Sequence, residues 1–293
     1  MSIYVSTSCL ANARNIFDVL EAYQKAGFKN VELGSSQWHT GDLSLQKLKQ
    51  YGFNFLCHHY FPPPEKPFIV NLASSDPMIL QRSMEQIKRS IEFCHYMGIK
   101  LFSFHAGFRA DPRANPNGKF GFPRDKAVTS YETAFDTFVT SVKEINDYAL
   151  ERGISIAVEN HVLSDYNVVN GKNPFLLLCE AEEFEKLWAR VTSTNVGILL
   201  DLGHLKTTSH WLKFDRYEFI ERVKDRIFAS HLHENNGQAD RHLALDEASW
   251  CFEIINKKCF HDIPVVLESF GLTTEQITHQ VKLVERMLGQ EQD

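Results

Sequence analysis

The chain has 293 residues, of which 43% are hydrophobic and 23% are charged, and its formal net charge is -6. This balance suits a globular protein with a sizeable core, and it excludes a general electrostatic attraction to nucleic acid or to an anionic membrane. The length fits one large α/β domain, and no linker or shift in composition divides it, so we expect a single domain over residues 1–293.

The N-terminus and the cysteines bear on the compartment. The first residues, MSIYVSTSCLANARN, lack the charged-then-apolar pattern of a secretory signal, and no apolar stretch is long enough to span a bilayer. The six cysteines are scattered without a CxxC pair, which favours reduced thiols. These features predict a cytoplasmic protein without a membrane partner.

Short apolar runs recur along the chain, each followed by a polar loop and a helical pattern. The runs are residues 3–7, 30–34, 54–59, 100–107, 155–160, 196–204, 227–233 and 264–270. Near-continuous runs of Val, Ile, Leu and Phe of this length are typical of strands that are buried on both faces of a parallel sheet.

Helices are expected between these strands. Their approximate ranges are 15–26, 44–51, 77–97, 131–152, 181–191, 215–225, 247–257 and 274–288. Asp76 before Pro77 predicts an N-cap, while Gly98 and Gly153 are placed as C-terminal caps. Eight strands alternating with eight helices predict a single (β/α)8 TIM barrel. A doubly wound open sheet is the alternative, which the lack of a glycine-rich phosphate loop after any strand disfavours.

Polar side chains fall at the C-terminal ends of seven of the predicted strands. They are Glu32, His58, His105, Glu159, Asp201, His204, His231 and Glu268, and the loop after the seventh strand adds Asp240 and His242. Parallel barrels carry their chemistry at this end, because the βα loops converge there. Random polar residues would scatter equally into helices, so the common placement indicates a shared site.

The residue types point to a metal. Carboxylates and imidazoles without thiolates select hard or borderline divalent ions such as Mg²⁺, Mn²⁺, Co²⁺ or Zn²⁺. Two glutamates, an aspartate and a histidine would hold one ion and leave a position for water or substrate, and the remaining donors could hold one or two more. A metal would also explain how three carboxylates tolerate each other, because bare like charges raise each other's pKa.

Eight motifs at the strand ends carry a family resemblance. They are VELG (31–34), HHYF (58–61), FHAG (104–107), VENH (158–161), LLDLGH (199–204), SHLHENNG (230–237), DRH (240–242) and VLESF (266–270). In this order, and over nearly the whole chain, they resemble the xylose-isomerase-like, endonuclease-IV-like TIM barrels. That superfamily includes sugar isomerases, ketose 3-epimerases, inosose dehydratases and abasic-site endonucleases.

The resemblance implies roles for individual residues. The shared metal site would consist of Glu159, Asp201, His231 and Glu268. Glu159 and Glu268 would also be the catalytic acid and base that move protons at a sugar carbon, as in the epimerases. The endonuclease branch implies further zinc ligands, which match His58, His105, His204, Asp240 and His242. Motif position favours His58 over His59, and His233 is interpreted as a rim residue rather than a ligand.

The resulting prediction is a divalent-metal-dependent isomerase or epimerase, acting on a sugar or sugar phosphate by proton transfer next to a carbonyl. Glu32 favours this class, because isomerase-type relatives commonly carry glutamate at that strand end. The expected substrate-binding residues are Glu32, Arg109, His204, Lys206 and Glu234. Dimers and tetramers are common among the relatives, which leaves a homo-oligomer open.

Two alternatives remain. A multi-zinc phosphodiesterase of the abasic-site endonuclease type would use the full ligand set, but DNA binding needs several Lys or Arg contacts to phosphate. The basic loop at 107–126 is diluted by Asp111 and Asp125, and the proline-rich stretch 62–67 suits a stiff wall beside a small-molecule site. A nucleic-acid partner is therefore not expected. A sugar-acid or inosose-type dehydratase is the other alternative.

Overall fold

Eight parallel strands close into a barrel in the computed structural model, which describes residues 2–13, 15–34, 43–114, 120–122 and 128–289. The barrel strands are β1 (Ser2–Ser6), β2 (Asn30–Leu33), β3 (Asn54–His58), β4 (Leu101–His105), β7 (Ser155–Glu159), β8 (Val196–Asp201), β9 (Ile227–Leu232) and β10 (Pro264–Leu267). The strands β5 (Arg113–Ala114) and β6 (Phe120–Gly121) form a short antiparallel pair outside it. Each barrel strand pairs with the next along the chain, and β10 pairs with β1, which confirms the TIM barrel and excludes an open sheet.

Helices surround the barrel close to the expected positions. They are α1 (Ile16–Lys25), α2 (Leu45–Gln50), α3 (Pro77–Met97), α4 (Tyr131–Leu150), α5 (Ala181–Val191), α6 (Leu202–Leu212), α7 (Arg216–Val223), α8 (Cys251–Ile255) and α9 (Thr274–Gly289), with 3-10 turns at Lys224–Arg226 and Lys258–Phe260. None of the helices in the described ranges is long and apolar enough to cross a membrane.

The predicted caps are confirmed. The Asp76 carboxylate accepts hydrogen bonds from the backbone N–H groups of Met78 and Ile79, at 2.9 and 3.4 Å. Gly153 has a φ of +64°. Its backbone N–H donates to the Leu150 carbonyl, and the N–H of Ile154 donates to the Ala149 carbonyl, both at 3.0 Å. This is the left-handed glycine cap that the sequence indicates, and Gly98 ends α3 in the same way, with a φ of +78°.

One predicted run is divided differently. The run 196–204 was expected to be a single strand, but β8 ends at Asp201 and α6 begins at Leu202. The reason is that the Asp201 carboxylate is the N-cap of α6, accepting the backbone N–H of His204 at 2.7 Å. His204 therefore lies in the first turn of a helix and not on a strand.

The pleat of the strands places the polar cluster at one end of the barrel. Ala157, Leu199 and Ala229 form a small buried cluster on β7, β8 and β9. Side chains two residues further along a strand point to the same side, so Glu159, Asp201 and His231 lie one layer above it. The register pairs His105 with Glu159 and Asp201 with His231. The strand pairing alone therefore places a carboxylate next to an imidazole on both pairs of strands.

Candidate metal centre

The polar residues predicted at the strand ends converge, and among the described residues they form neighbouring groups of potential metal donors. Three of these groups are His58, His105 and Glu159; then Glu159, Asp201 and His231; then His204, His233, Asp240 and His242. Glu268 lies with His231 and Glu32 in a further group. We call the group of His58, His105 and Glu159 the first group. The central group consists of Glu159, Asp201 and His231 together with Glu268, and the third group consists of His204, His233, Asp240 and His242.

The first group brings three donor atoms within van der Waals contact of one another. Glu159 Oε2 lies 2.9 Å from His105 Nε2 and 3.4 Å from His58 Nε2, and the two imidazole nitrogens are 3.2 Å apart. The other nitrogen of His58, Nδ1, lies 2.9 Å from Ser103 Oγ, which fixes the ring. His59 faces elsewhere, since its Nδ1 accepts the backbone N–H of His105 at 3.1 Å.

The central group is organised around His231. Its Nδ1 is 3.0 Å from Glu268 Oε2, 3.5 Å from Glu159 Oε1 and 3.6 Å from Asp201 Oδ2. This buried Nδ1 has no hydrogen-bond partner among the described residues. On the other side of the ring, Nε2 is 3.1 Å from Glu32, so a proton on Nε2 leaves the Nδ1 lone pair directed at the three carboxylates.

Glu32 therefore lies behind His231. It is 1% exposed, and its carboxylate contacts the histidine ring. A carboxylate that holds the far nitrogen of a histidine fixes the tautomer and the orientation of a metal ligand. The position of Glu32 suits orientation of His231, and its substrate-binding role, expected from the sequence, stays a prediction.

The third group collects two imidazoles around one carboxylate. Asp240 Oδ2 is 3.2 Å from His242 Nε2 and 3.5 Å from His204 Nε2. The other nitrogen of each ring contacts a backbone carbonyl: His242 Nδ1 contacts that of Glu268, and His204 Nδ1 contacts that of Asn160. Both Nε2 atoms are thereby directed to the same side.

His233 is the residue that the sequence interpretation misplaced. It was expected at the rim, but it is 1% exposed, and its Nε2 lies 3.0 Å from each oxygen of Asp201. Its ring stacks on His242 with centroids 3.8 Å apart, and His242 stacks on Phe270 at 3.9 Å. The spacing of two residues from His231 was the available signal, because alternate residues of a strand share a face.

Gly203 provides the space for that ring. A Cβ atom placed on Gly203 would overlap the imidazole of His233. A glycine in the first turn of α6 lets His233 approach the helix backbone and reach the Asp201 carboxylate.

The donor set fits divalent ions. Metal–nitrogen bonds of about 2.0–2.1 Å in a tetrahedral site put neighbouring ligand atoms roughly 3.3 Å apart. The separations in the first group, 2.9 to 3.4 Å, are of this size. Several buried donor atoms also lack a hydrogen-bond partner among the described residues: Glu32 Oε2, Glu159 Oε2 and His231 Nδ1. Such orphaned atoms are rare in proteins, and a bound cation would supply them with a partner.

Electrostatics keep the carboxylates ionised. Burial by itself would raise the pKa of Glu268, but in the metal-free chain the protonated ring of His231 outweighs it and lowers that pKa to about 2. The ring is protonated there because Glu268 and Glu32 outweigh its own burial and raise the pKa of His231 well above the ordinary value, and a metal ion bound at Nδ1 would take the place of that proton. Burial likewise opposes ionisation of Glu159, yet the contact with His105 brings its pKa well below the ordinary value. Both carboxylates are therefore available at neutral pH as ligands or as proton acceptors.

In the third group, the neighbouring carboxylates raise the pKa values of two histidines, His242 and His204. Burial lowers the pKa of His242, but the Asp240 carboxylate outweighs burial and raises that pKa to about 9. The facing charged groups are Asp240, Glu268 and Asp201. His204, which also faces Asp240, has its pKa raised well above the ordinary value.

We expect the metal-free protein to lose stability as the pH rises from about 6.5 to about 9. The folded pKa of His242 lies above its unfolded value, so its stabilising contribution is complete below the unfolded pKa and is lost as the pH rises through the folded pKa of about 9. The free energy of unfolding should fall by roughly 2–3 kcal/mol from this ring. Urea unfolding of chelator-treated protein at several pH values in this range measures the free energy of unfolding.

The matched variants are His242→Gln in the third group and His210→Gln at an exposed position of α6. The first should flatten the pH dependence and the second should leave it unchanged. Equal slopes in all three proteins would contradict the expected raised pKa of His242.

The remaining predicted substrate-binding residues lie outside these groups. Lys206 and Glu234 form an ion pair with each other, half-buried beside the third group. The Arg109 guanidinium donates from Nε to the Thr129 carbonyl at 3.1 Å. Of the basic loop, Lys119, Arg124 and Lys126 lie outside the described residues.

Comparison with known proteins agrees with this architecture. The family model described as "Xylose isomerase-like TIM barrel" matches residues 20–287. An uncharacterized protein of Methanocaldococcus jannaschii is 25% identical over 260 residues, covering 88% of this chain and 87% of its own. A protein of Persephonella marina named probable endonuclease 4 is 22% identical over 261 residues, covering 84% and 79%.

Among solved structures, a D-tagatose 3-epimerase-like protein superposes with a TM-score of 0.75 at 19% identity, covering 99% of each chain. At this identity the likeness concerns the fold. The family match spans nearly the whole described barrel, including every donor of the three groups. The chain therefore belongs to the xylose isomerase-like TIM barrel family.

Proposed function

We propose that the protein is a divalent-metal-dependent isomerase or epimerase that acts on a sugar or sugar phosphate by proton transfer next to a carbonyl. The observation that carries this proposal is the central group, where Glu159 and Glu268 approach His231 Nδ1 from β7 and β10. These strands are separated by β8 and β9 in the barrel, so the two carboxylates reach the site from different sides.

The metal ligands in this proposal are Glu159, Asp201, His231 and Glu268, with His58, His105, His204, Asp240 and His242 as further donors. Manganese, magnesium, cobalt and zinc are the ions that this donor set suits. When bound, a divalent ion would polarise the substrate carbonyl and stabilise the negative charge that develops on oxygen.

The chain's own carboxylates move the proton. Glu268, ionised at neutral pH, accepts the proton from the carbon beside the carbonyl, and the electron pair of the broken C–H bond moves toward the carbonyl oxygen. Epimerisation requires a proton on the opposite face of the same carbon: Glu159, ionised in the free protein, would first take up a proton from solvent and then deliver it there, while Glu268 releases the abstracted proton to solvent. Isomerisation requires Glu268 to deliver the abstracted proton to the neighbouring carbonyl carbon, while the hydroxyl group on the carbon that lost the proton gives its own proton to the former carbonyl oxygen. Glu32 holds His231 in the required tautomer throughout.

Solvent-exchange measurements test this function. The protein is loaded separately with Mn²⁺, Co²⁺, Mg²⁺ or Zn²⁺ and incubated in D₂O with ketoses and ketose phosphates, and deuterium at the carbon next to the carbonyl is followed by NMR. Exchange that requires the metal and is lost in Glu268→Gln supports the proposal. Absence of exchange with the whole panel contradicts it.

The second candidate is a multi-zinc phosphodiesterase, and the third group is the observation that favours it. Three donor groups around one carboxylate-rich centre could clamp a phosphate. Against it, two of the cations predicted to bind substrate are engaged in other contacts, Lys206 with Glu234 and Arg109 with the Thr129 carbonyl. Cleavage of an oligonucleotide with an abasic site by the zinc-loaded protein would establish this candidate, and loss of water from an inosose or sugar acid would establish a dehydratase.

A further inference from the structure

A groove leaves the candidate metal centre at His105 and runs outward between the β3–α3 loop, the first turns of α3 and the segment after β4. Its volume is about 1040 Å³, and His105, Tyr60 and Phe108 line its inner end. The outer part is lined by Phe68, Ile69, Met78 and Ile79. The stretch 62–67, expected from the sequence to form a stiff wall, contributes Pro67 to the same groove.

His105 is the point where the groove meets the centre. Its side chain is 37% exposed, whereas those of His58 and His204 are 6% and 8% exposed and that of His231 is fully buried. A substrate bound at the first or central group would therefore pass His105, and any substituent it carries would extend over Tyr60 and Phe108.

The outer part of the groove offers a hydroxyl group no polar side chain. Among the described residues it is lined by Phe68, Ile69, Met78 and Ile79, while polar side chains lie at its edge. There Asp111 accepts from Asn71 Nδ2 at 2.8 Å and Glu85 accepts from Gln81 at 2.9 Å, and both carboxylates can accept further hydrogen bonds. A hydroxyl group buried over the four apolar side chains would lack a side-chain partner, so this part of the groove suits an apolar group better than a second sugar unit.

The charges of the described lining also disfavour a phosphate in the groove. Arg82 donates to the Lys66 carbonyl at 2.8 Å, and its guanidinium lies 3.9 Å above the Phe68 ring. The acidic side chains of Glu85 and Asp111 line the same wall. Among the described residues, an anion would therefore meet two carboxylates there and one guanidinium that is held in another contact.

Size and exposure favour an apolar group. The volume is at the upper end of the range for sites that bury drug-sized ligands, well beyond the needs of one monosaccharide. Met78, in the first turn of α3, is 73% exposed at the groove, so the free protein leaves an apolar side chain in water. A ligand that covers Met78 and Ile79 would remove this apolar surface from solvent.

We propose that the substrate of this site is a sugar that keeps its carbonyl and carries an apolar or aromatic substituent elsewhere, such as an aryl or alkyl ether on a hydroxyl group away from the carbonyl, with the substituent bound in the groove beside His105. This inference rests on the proposed function for the sugar part, and on the groove alone for the substituent. A free monosaccharide or a sugar phosphate would leave the groove empty.

Binding of matched ketose ethers tests the proposal without requiring turnover. Isothermal titration of metal-loaded protein with the phenyl and methyl ethers of one ketohexose, each at the terminal hydroxyl group, should give tighter binding of the phenyl compound by about tenfold or more, that is, at least about 1.4 kcal/mol. Met78→Asp should reduce this preference severalfold. The control Leu150→Asp, at a similarly exposed apolar position on α4 away from the groove, should keep it.

The outcomes separate the substituent from the chemistry. Equal affinities for the two ethers, no binding of either, or a preference that survives Met78→Asp would each overturn the inference. Deuterium exchange into a free ketose without any phenyl preference would support the proposed function and overturn the inference. A phenyl preference that depends on Met78, in a protein that exchanges no sugar proton, would support the groove and contradict the proposed function.

Discussion

Replacing Glu159 with glutamine is expected to remove bound metal from the first and central groups together and to lower the rate of proton transfer by about 10²–10⁴-fold. Glu159 spans both groups, since Oε2 contacts His105 at 2.9 Å and Oε1 lies 3.5 Å from His231. An amide keeps the shape of the side chain but presents one oxygen and no charge. Elemental analysis by plasma mass spectrometry, on protein purified without a metal-affinity tag, gives the ions per chain.

Two variants make this result specific. Glu268→Gln should weaken the central group and leave His58, His105 and Glu159 intact, so it should lose less metal than Glu159→Gln. Glu144→Gln changes an exposed carboxylate that is paired with Lys88 on the outside of the barrel, and it should lose none. If Glu159→Gln retained the full metal content of the native chain, the bridging arrangement would be refuted.

The second large effect is expected from Gly203→Ala. The added methyl group would overlap the His233 ring, so the ring has to move and the Asp201 carboxylate loses its contacts with Nε2. Mutation of a residue that holds a metal ligand typically costs 10–100-fold in metal affinity. Overpacking should also lower the free energy of unfolding by about 1–3 kcal/mol.

Three comparisons distinguish positioning of Asp201 from a loss of packing. His233→Leu should show the same fall in metal affinity as Gly203→Ala, while His233→Gln, which keeps an N–H donor, should recover part of it. Gly289→Ala is the control, since a Cβ there meets nothing within 4 Å. Destabilisation by Gly203→Ala with unchanged metal affinity would show that His233 only fills space.

The sequence predicted the barrel well because its signals are local. Each buried strand is a short apolar run, and caps such as Asp76 and Gly153 act on their own helix ends. The positions of Glu159 and His231 follow from strand ends in the same way. The predicted donor residues do come together in the structure, while their roles as ligands and catalysts stay predictions.

The departures from prediction depend on contacts distant in sequence. His233 is interior because Gly203 opens space for it and Asp201 accepts its hydrogen bond, and neither is visible in the run around His233. Glu32 contacts His231 across 199 residues of chain, which the sequence around Glu32 does not show, and its substrate-binding role stays a prediction. The β8–α6 boundary was missed because LLDLGH reads as one apolar run unless Asp201 is recognised as a cap.

The strand register has a consequence for the stability of the whole barrel. The donors of the three groups are carried by β3, β4, β7, β8 and β9 and by the segments that follow β8, β9 and β10. Ions bound to them would cross-link strands that otherwise depend on hydrogen bonds to their immediate neighbours. Because an ion that binds only the folded chain stabilises it by mass action, a free concentration 1,000 times the dissociation constant would add about 4 kcal/mol. The supply of metal would then set how long the barrel survives as well as how fast it works.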